Sequence, residues 1–101
     1  MCVLSRNNGQ YNAATGSAVT VCVVAGATSL VSATYNDAAV PVNGNCTTFT
    51  VVAGTAVLYV TLAGPQDDVQ IVEDCGGGQT QVLFAYEHDY HPIVGFAIVG
   101  A

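Results

Sequence analysis

The sequence predicts an all-β fold, a single-domain antiparallel β-sandwich. Three observations carry that expectation. Apolar side chains alternate with Thr, Ser and other small residues in segment after segment, the period of a strand with one buried face. No long window shows the 3.6-residue period of an amphipathic helix. Turn formers such as Asn36-Asp37, Ala53-Gly54 and Gly76-Gly77-Gly78 punctuate the chain at the roughly 8–12-residue spacing of sandwiches and barrels. With 101 residues, the chain is expected to form one domain, 1–101, in which residues 1–16 are partly loop.

Residues 5–16 hold turn formers without either period and read as a loop. Over 17–25, Val19, Val21 and Val23 alternate with Thr20, Cys22 and Val24, which gives a strand an apolar face. Gly26-Ala27 leads into a strand over 28–35, with Val31, Ala33 and Tyr35 on one side and Leu30, Ser32 and Thr34 on the other. Val40-Pro41-Val42 is short, and its proline lacks the amide a central strand must donate, so it is expected at an edge. Residues 46–52 turn Phe49 and Val51 inward and Thr48 and Thr50 outward, and 55–63 place Leu58, Val60 and Leu62 on one face. After the break at Gly64-Pro65-Gln66-Asp67, Val69 and Ile71 mark a strand over 68–73. Residues 80–88 put Val82, Phe84, Tyr86 and His88 on one side. Residues 93–99 are apolar on both faces, the pattern of a central, covered strand. Seven or eight short strands of this kind resemble an immunoglobulin-like sandwich in architecture. The chain departs from that family in having no Trp and in carrying Glu73, not Tyr, two residues before Cys75.

Composition excludes more than it assigns. Arg6 is the one basic residue besides histidine, against seven acids, for a formal net charge of −6. One cation cannot release the counterions along a phosphate backbone, so no nucleic-acid partner is expected. Docking on anionic lipid is disfavoured for the same reason. No apolar run reaches the roughly 18 residues of a membrane helix, so no membrane insertion is expected. Charged residues make up 8% of the chain, against roughly a quarter in an average soluble domain. Uncharged polar residues must cover the surface, and one guard against edge-to-edge strand pairing is weakened.

The four cysteines, Cys2, Cys22, Cys46 and Cys75, are widely spaced and include no C-x-x-C pair. That fits a disulfide framework in an oxidising compartment better than a zinc site. Positions at strand ends beside turns favour pairing Cys46 with Cys75 and Cys2 with Cys22. The rival, Cys22 with Cys75, spans the chain as an immunoglobulin bridge does.

Glu87-His88-Asp89-Tyr90-His91 is the densest polar cluster and holds both histidines. Imidazole and carboxylate together suit Zn²⁺, Cu²⁺ or Ni²⁺, which makes His88, His91 and Asp89 the candidate metal ligands. Residues three apart face opposite ways on a straight strand, so a turn at Asp89-Tyr90 would have to bring them together; a solvated strand end is the plainer reading. Asp67-Asp68 and Glu73-Asp74 flank one strand and read as solvated turns, without the ligand spacing of a calcium loop. Asn45-Cys46-Thr47 matches the N-glycosylation pattern. The five tyrosines suit either strand formation or a recognition surface. No nucleophile elbow or phosphate loop is present, so neither catalysis nor a cofactor is expected.

The function these features favour is that of a non-catalytic β module. It would be secreted, at the cell surface or particle-associated, and would mediate contact with a protein partner or self-association. The alternatives are a small-ligand domain that takes carbohydrate through Tyr, Asn and Asp on loops, and a small metal-binding protein built on Glu87, His88, Asp89 and His91.

Overall fold

The alternation of apolar and polar residues produces strands throughout. A computed structural model describes residues 2–24, 29–63, 69–85 and 92–101. Among them are eleven strands and no helix: β1 (Ser5–Asn7), β2 (Gln10–Ala13), β3 (Ala18–Val24), β4 (Ser29–Tyr35), β5 (Ala38–Val40), β6 (Val42–Asn43), β7 (Cys46–Thr50), β8 (Gly54–Ala63), β9 (Gln70–Gly76), β10 (Gln79–Ala85) and β11 (Ile93–Gly100). Three of these are only two or three residues long, which leaves eight of four residues or more. The strands form two sheets, ordered β1-β2-β11-β8-β4-β5 and β10-β9-β3-β7-β6. All pairings are antiparallel except that of β2 with β11. The expected β-sandwich is what forms. The chain changes sheet at every connection that is not a hairpin, so most of its contacts join residues far apart in sequence.

The core sits between the sheets and follows the two-residue period. Val19, Val21 and Val23 from β3, Phe49 from β7 and Val51 beyond it, and Leu58, Val60 and Leu62 from β8 are all buried, as the alternation predicts. Two tyrosines join them and place their hydroxyls on backbone groups, as buried phenols require. Tyr35 stacks on Phe49 at 4.5 Å between ring centroids, and its hydroxyl accepts from the Val52 N–H at 3.0 Å. Tyr11 packs edge-on against Phe96 at 5.8 Å, and its hydroxyl donates to the Leu83 carbonyl at 2.6 Å, tying β2 of one sheet to β10 of the other.

Four sequence expectations give way. The segment read as a loop over 5–16 contains the β1–β2 hairpin, turned by Asn8 and Gly9 at φ 52° and 78°. Positive φ at both central residues is the geometry of the tight hairpin turn that Asn-Gly favours. In β4 the register slips between Leu30 and Ser32, so Leu30 joins Ala33 and Tyr35 in the core and Val31 is left exposed. An extra residue in one strand moves the following side chains to the opposite face. A second irregularity, between Val82 and Phe84 in β10, turns Leu83 inward and leaves its two neighbours exposed. Finally, β11 is central in its sheet but covered on one face: Val94, Phe96 and Ile98 are buried, whereas Ile93 is exposed and Ala97 and Val99 are half-buried.

Two glycines of β11 give opposite expectations for substitution. A Cβ on Gly100 would overlap the Val52 carbonyl, a backbone group that cannot swing aside. A Cβ on Gly95 would meet only the ring of Tyr59, at 2.9 Å, and Tyr59 is an exposed side chain free to rotate. Gly100→Ala is therefore expected to cost about 1–3 kcal/mol through overpacking. That lowers Tm by roughly 4–8 °C per kcal/mol for a domain of this size, with a smaller drop for Gly95→Ala. Thermal melts of the two variants check the order.

Candidate functional site

The chemistry-bearing residues the fold brings together lie at the end of β9, where the alternation of Val69 and Ile71 continues into Glu73 and Cys75. Val69, Ile71 and Glu73 are all buried, and Glu73 stands opposite Val21 in register, on the core side of the sheet. At 1% exposure, Glu73 is the one buried acid among the described residues. The expected solvated turn at Glu73-Asp74 is instead strand: Asp74, also within β9, is exposed and accepts from the Gly76 N–H at 3.0 Å, whereas Glu73 faces inward. A carboxylate removed from water needs donors to replace it. Glu73 takes them from the N-terminal segment. The Val3 N–H donates to Oε2 at 2.8 Å, and the Leu4 N–H is shared between Oε1 and Oε2 at 3.2 Å each. Gln81 Nε2 donates to Oε1 at 3.2 Å and also to the Leu4 carbonyl.

The same segment is fixed covalently. Cys2 is bonded to Cys75, two residues beyond Glu73, with the Cα atoms 4.5 Å apart. The second bond joins Cys22 to Cys46, which are directly opposite in the β3–β7 register, with Cα atoms 4.0 Å apart. The favoured pairing of Cys46 with Cys75 and Cys2 with Cys22 is therefore corrected. β7 and β9 lie on opposite sides of β3, which puts Cys46 and Cys75 two strand spacings apart, roughly 9–10 Å, too far for a disulfide. The rival Cys22–Cys75 bond fails on register, because Cys22 stands opposite Val72 and not Cys75. Both cysteines of the Cys22–Cys46 bond belong to one sheet, unlike an immunoglobulin bridge between sheets. All four cysteines are paired, as the disulfide expectation required.

A second feature is a cleft of about 540 Å³ on the outer face of the five-stranded sheet. Its lining includes the Cys22–Cys46 bond, Val72, Asn45, Asp74 and Thr80, with the Gly76–Gly78 turn beside them. The volume is within the range of small-ligand sites. The described lining contains no aromatic ring on which a sugar face could stack. Tyr11 and Tyr35 are core residues, and Tyr59, on the other sheet, is exposed.

A third is the edge formed by β10. It is seven residues long and carries neither charge nor proline, and Val82 is 54% exposed. The other three sheet edges are blunted: β1 and β5 have three residues each and β6 has two, with Arg6 on β1 and Pro41 between β5 and β6. Arg6 itself lies over the Tyr11 ring, 5.9 Å from its centroid.

Glu87, His88, Asp89 and His91, the sequence-derived metal candidates, lie outside the described residues, as do Asp67, Asp68, Tyr86 and Tyr90. Asn45 is exposed in the β6–β7 turn, where its carbonyl accepts from the Val23 N–H at 2.8 Å. Sequence reasoning missed Glu73 as a buried acceptor, although the signal was present. Extending the alternation of Val69 and Ile71 by one step places Glu73 on the inner face. No helix among the described residues is long and apolar enough to cross a membrane. No protein-family model matches the chain, and comparison with curated proteins and with solved structures finds no match.

Proposed function

We propose that this chain is a non-catalytic β module, extracellular or particle-associated, that works by strand-to-strand assembly with copies of itself. The observation that carries the reading is the β10 edge. Three edges are only two or three residues long, and the fourth, although bulged at Leu83, is seven residues long and uncharged, with Val82 more than half exposed. Apart from Leu83, whose carbonyl takes the Tyr11 hydroxyl, an edge of this length can offer backbone groups to an incoming strand. A second copy suits it because no charge lies within Gln79–Ala85, so two such strands can meet without like charges on the strands themselves. Antiparallel pairing about Val82 sets Val82 against its own counterpart. Two disulfides in a domain of this size support an oxidising, extracellular setting. An immunoglobulin-like wiring is part of the reading. It is favoured by β2 running parallel to β11, and by the grouping of β3 with β7 in one sheet and β4 with β8 in the other.

Sedimentation velocity over a wide concentration range tests this, with Val82→Lys as the comparison. The wild type is expected to form dimers or larger species as concentration rises. Val82→Lys, which places a charge on the edge, is expected to stay monomeric with an unchanged melting temperature. A wild type that is monomeric throughout, or a lysine variant that assembles equally well, rejects the edge as the assembly site.

A further inference from the structure

We propose that, once the Cys2–Cys75 bond is reduced, Cys2, Glu73 and Cys75 hold a divalent cation of the zinc class. The ligand atoms of these three side chains lie within 4.8 Å of one another, the one such grouping among the described residues. Their approach follows from the fold. Glu73 and Cys75 are separated by one residue of β9, and Cys2 is carried to them by the segment whose Val3 and Leu4 amides Glu73 holds. Two thiolates, a carboxylate and a water make a four-coordinate shell of the kind zinc accepts, with metal–ligand bonds of about 2.0–2.3 Å. Spheres of that radius fit a cluster of this span.

The carboxylate can take part without abandoning the N-terminal segment. Each of its oxygens shares the Leu4 N–H, at 3.2 Å, so one oxygen can give up that contact while the other keeps it. Val3 and Gln81 remain as donors that orient the group, the supporting role hydrogen-bond donors play behind a metal ligand. Glu73 also supplies a negative charge already removed from water, which favours a cation.

The chemistry balances with a phosphine as reductant. The phosphine attacks one sulfur, the S–S bond breaks, and water supplies the oxygen of the phosphine oxide and the two protons of the resulting thiols. Binding of the metal then displaces one proton from each thiol as two metal–sulfur bonds form.

The test titrates Cd²⁺ into phosphine-reduced, oxygen-free protein and follows the ultraviolet thiolate-to-cadmium band; zinc is added separately in thermal melts. The expected result is one cadmium per wild-type chain and a higher Tm of the reduced protein with zinc. Cys2→Ser/Cys75→Ser, which keeps Cys22 and Cys46, is expected to lose the one-to-one band. Glu73→Gln is expected to bind about 10–100-fold more weakly, and Glu73→Asp serves in its place if that variant does not fold. The oxidised protein is expected to show no band. If reduction unfolds the chain, zinc is expected to restore the strand circular-dichroism signal in the wild type and not in the double-serine variant. An equal band in the double-serine variant would put the ion on Cys22 and Cys46 and overturn the proposal. So would undiminished affinity in both Glu73 variants, or a reduced wild type that neither binds cadmium nor recovers its fold with zinc.

Discussion

Cys2→Ser/Cys75→Ser is expected to lose about 4.4 kcal/mol of stability, the chain-entropy value for a bond that closes a sequence separation of 73 residues. The Cys22–Cys46 bond spans 24 residues, and the same relation gives about 3.5 kcal/mol for its removal. The first loss is large against the 5–15 kcal/mol that holds a typical domain together. It also falls on one place. The bond holds the segment that puts Leu4, 2% exposed, into the core. Urea unfolding is the measurement, and the midpoint should fall more for the double-serine variant than for the variant lacking Cys22–Cys46. The reverse order would mean that the N-terminal segment contributes little to the folded state.

Glu73→Ala is expected to cost about 3–5 kcal/mol, and for a different physical reason. The buried Leu4 amide and the part-buried Val3 amide and Gln81 Nε2 lose their shared acceptor. A buried donor left unsatisfied costs about 1–3 kcal/mol and a part-buried one less, and removing the side chain also leaves a cavity. Because Glu73 and the Cys2–Cys75 bond fasten the same segment, their losses should not add. With the disulfide already removed, the segment can leave and hydrate its amides, so Glu73→Ala should then cost less. A double-mutant cycle should return a coupling of about 0.5–3 kcal/mol, the range for residues in one network. A Glu73→Ala loss below about 1 kcal/mol, or strict additivity, would show that the hydrogen bonds to Val3 and Leu4 are not a fastening.

What the sequence made legible was the inner face of each regular strand. Val19, Val21 and Val23, then Phe49 and Val51, then Leu58, Val60 and Leu62, are buried as their two-residue spacing requires. Legibility ends where the backbone departs from the pleat. The bulges at Val31 and Leu83 have no composition of their own, since any residue can be the extra one. The Asn8-Gly9 hairpin carried a readable turn signal but lacked apolar residues in β1, where all three positions are exposed. The disulfide pairing was out of reach for another reason. It depends on strand order, and only the placement of β3 between β7 and β9 separates Cys46 from Cys75. Glu73 lies between these cases. Its period places it inward, while its charge argues for solvent, and the amides of Val3 and Leu4 decide between them.

The fastening of residues 2–4 to the end of β9 underlies both stability predictions and the proposed metal site. It is tested most directly by non-reducing peptide mapping with mass spectrometry. Protein folded under oxidising conditions should yield Cys2 linked to Cys75 and Cys22 linked to Cys46, and no other cross-linked peptides. A peptide joining Cys46 to Cys75 would contradict it, because that bond cannot form with β3 lying between their strands.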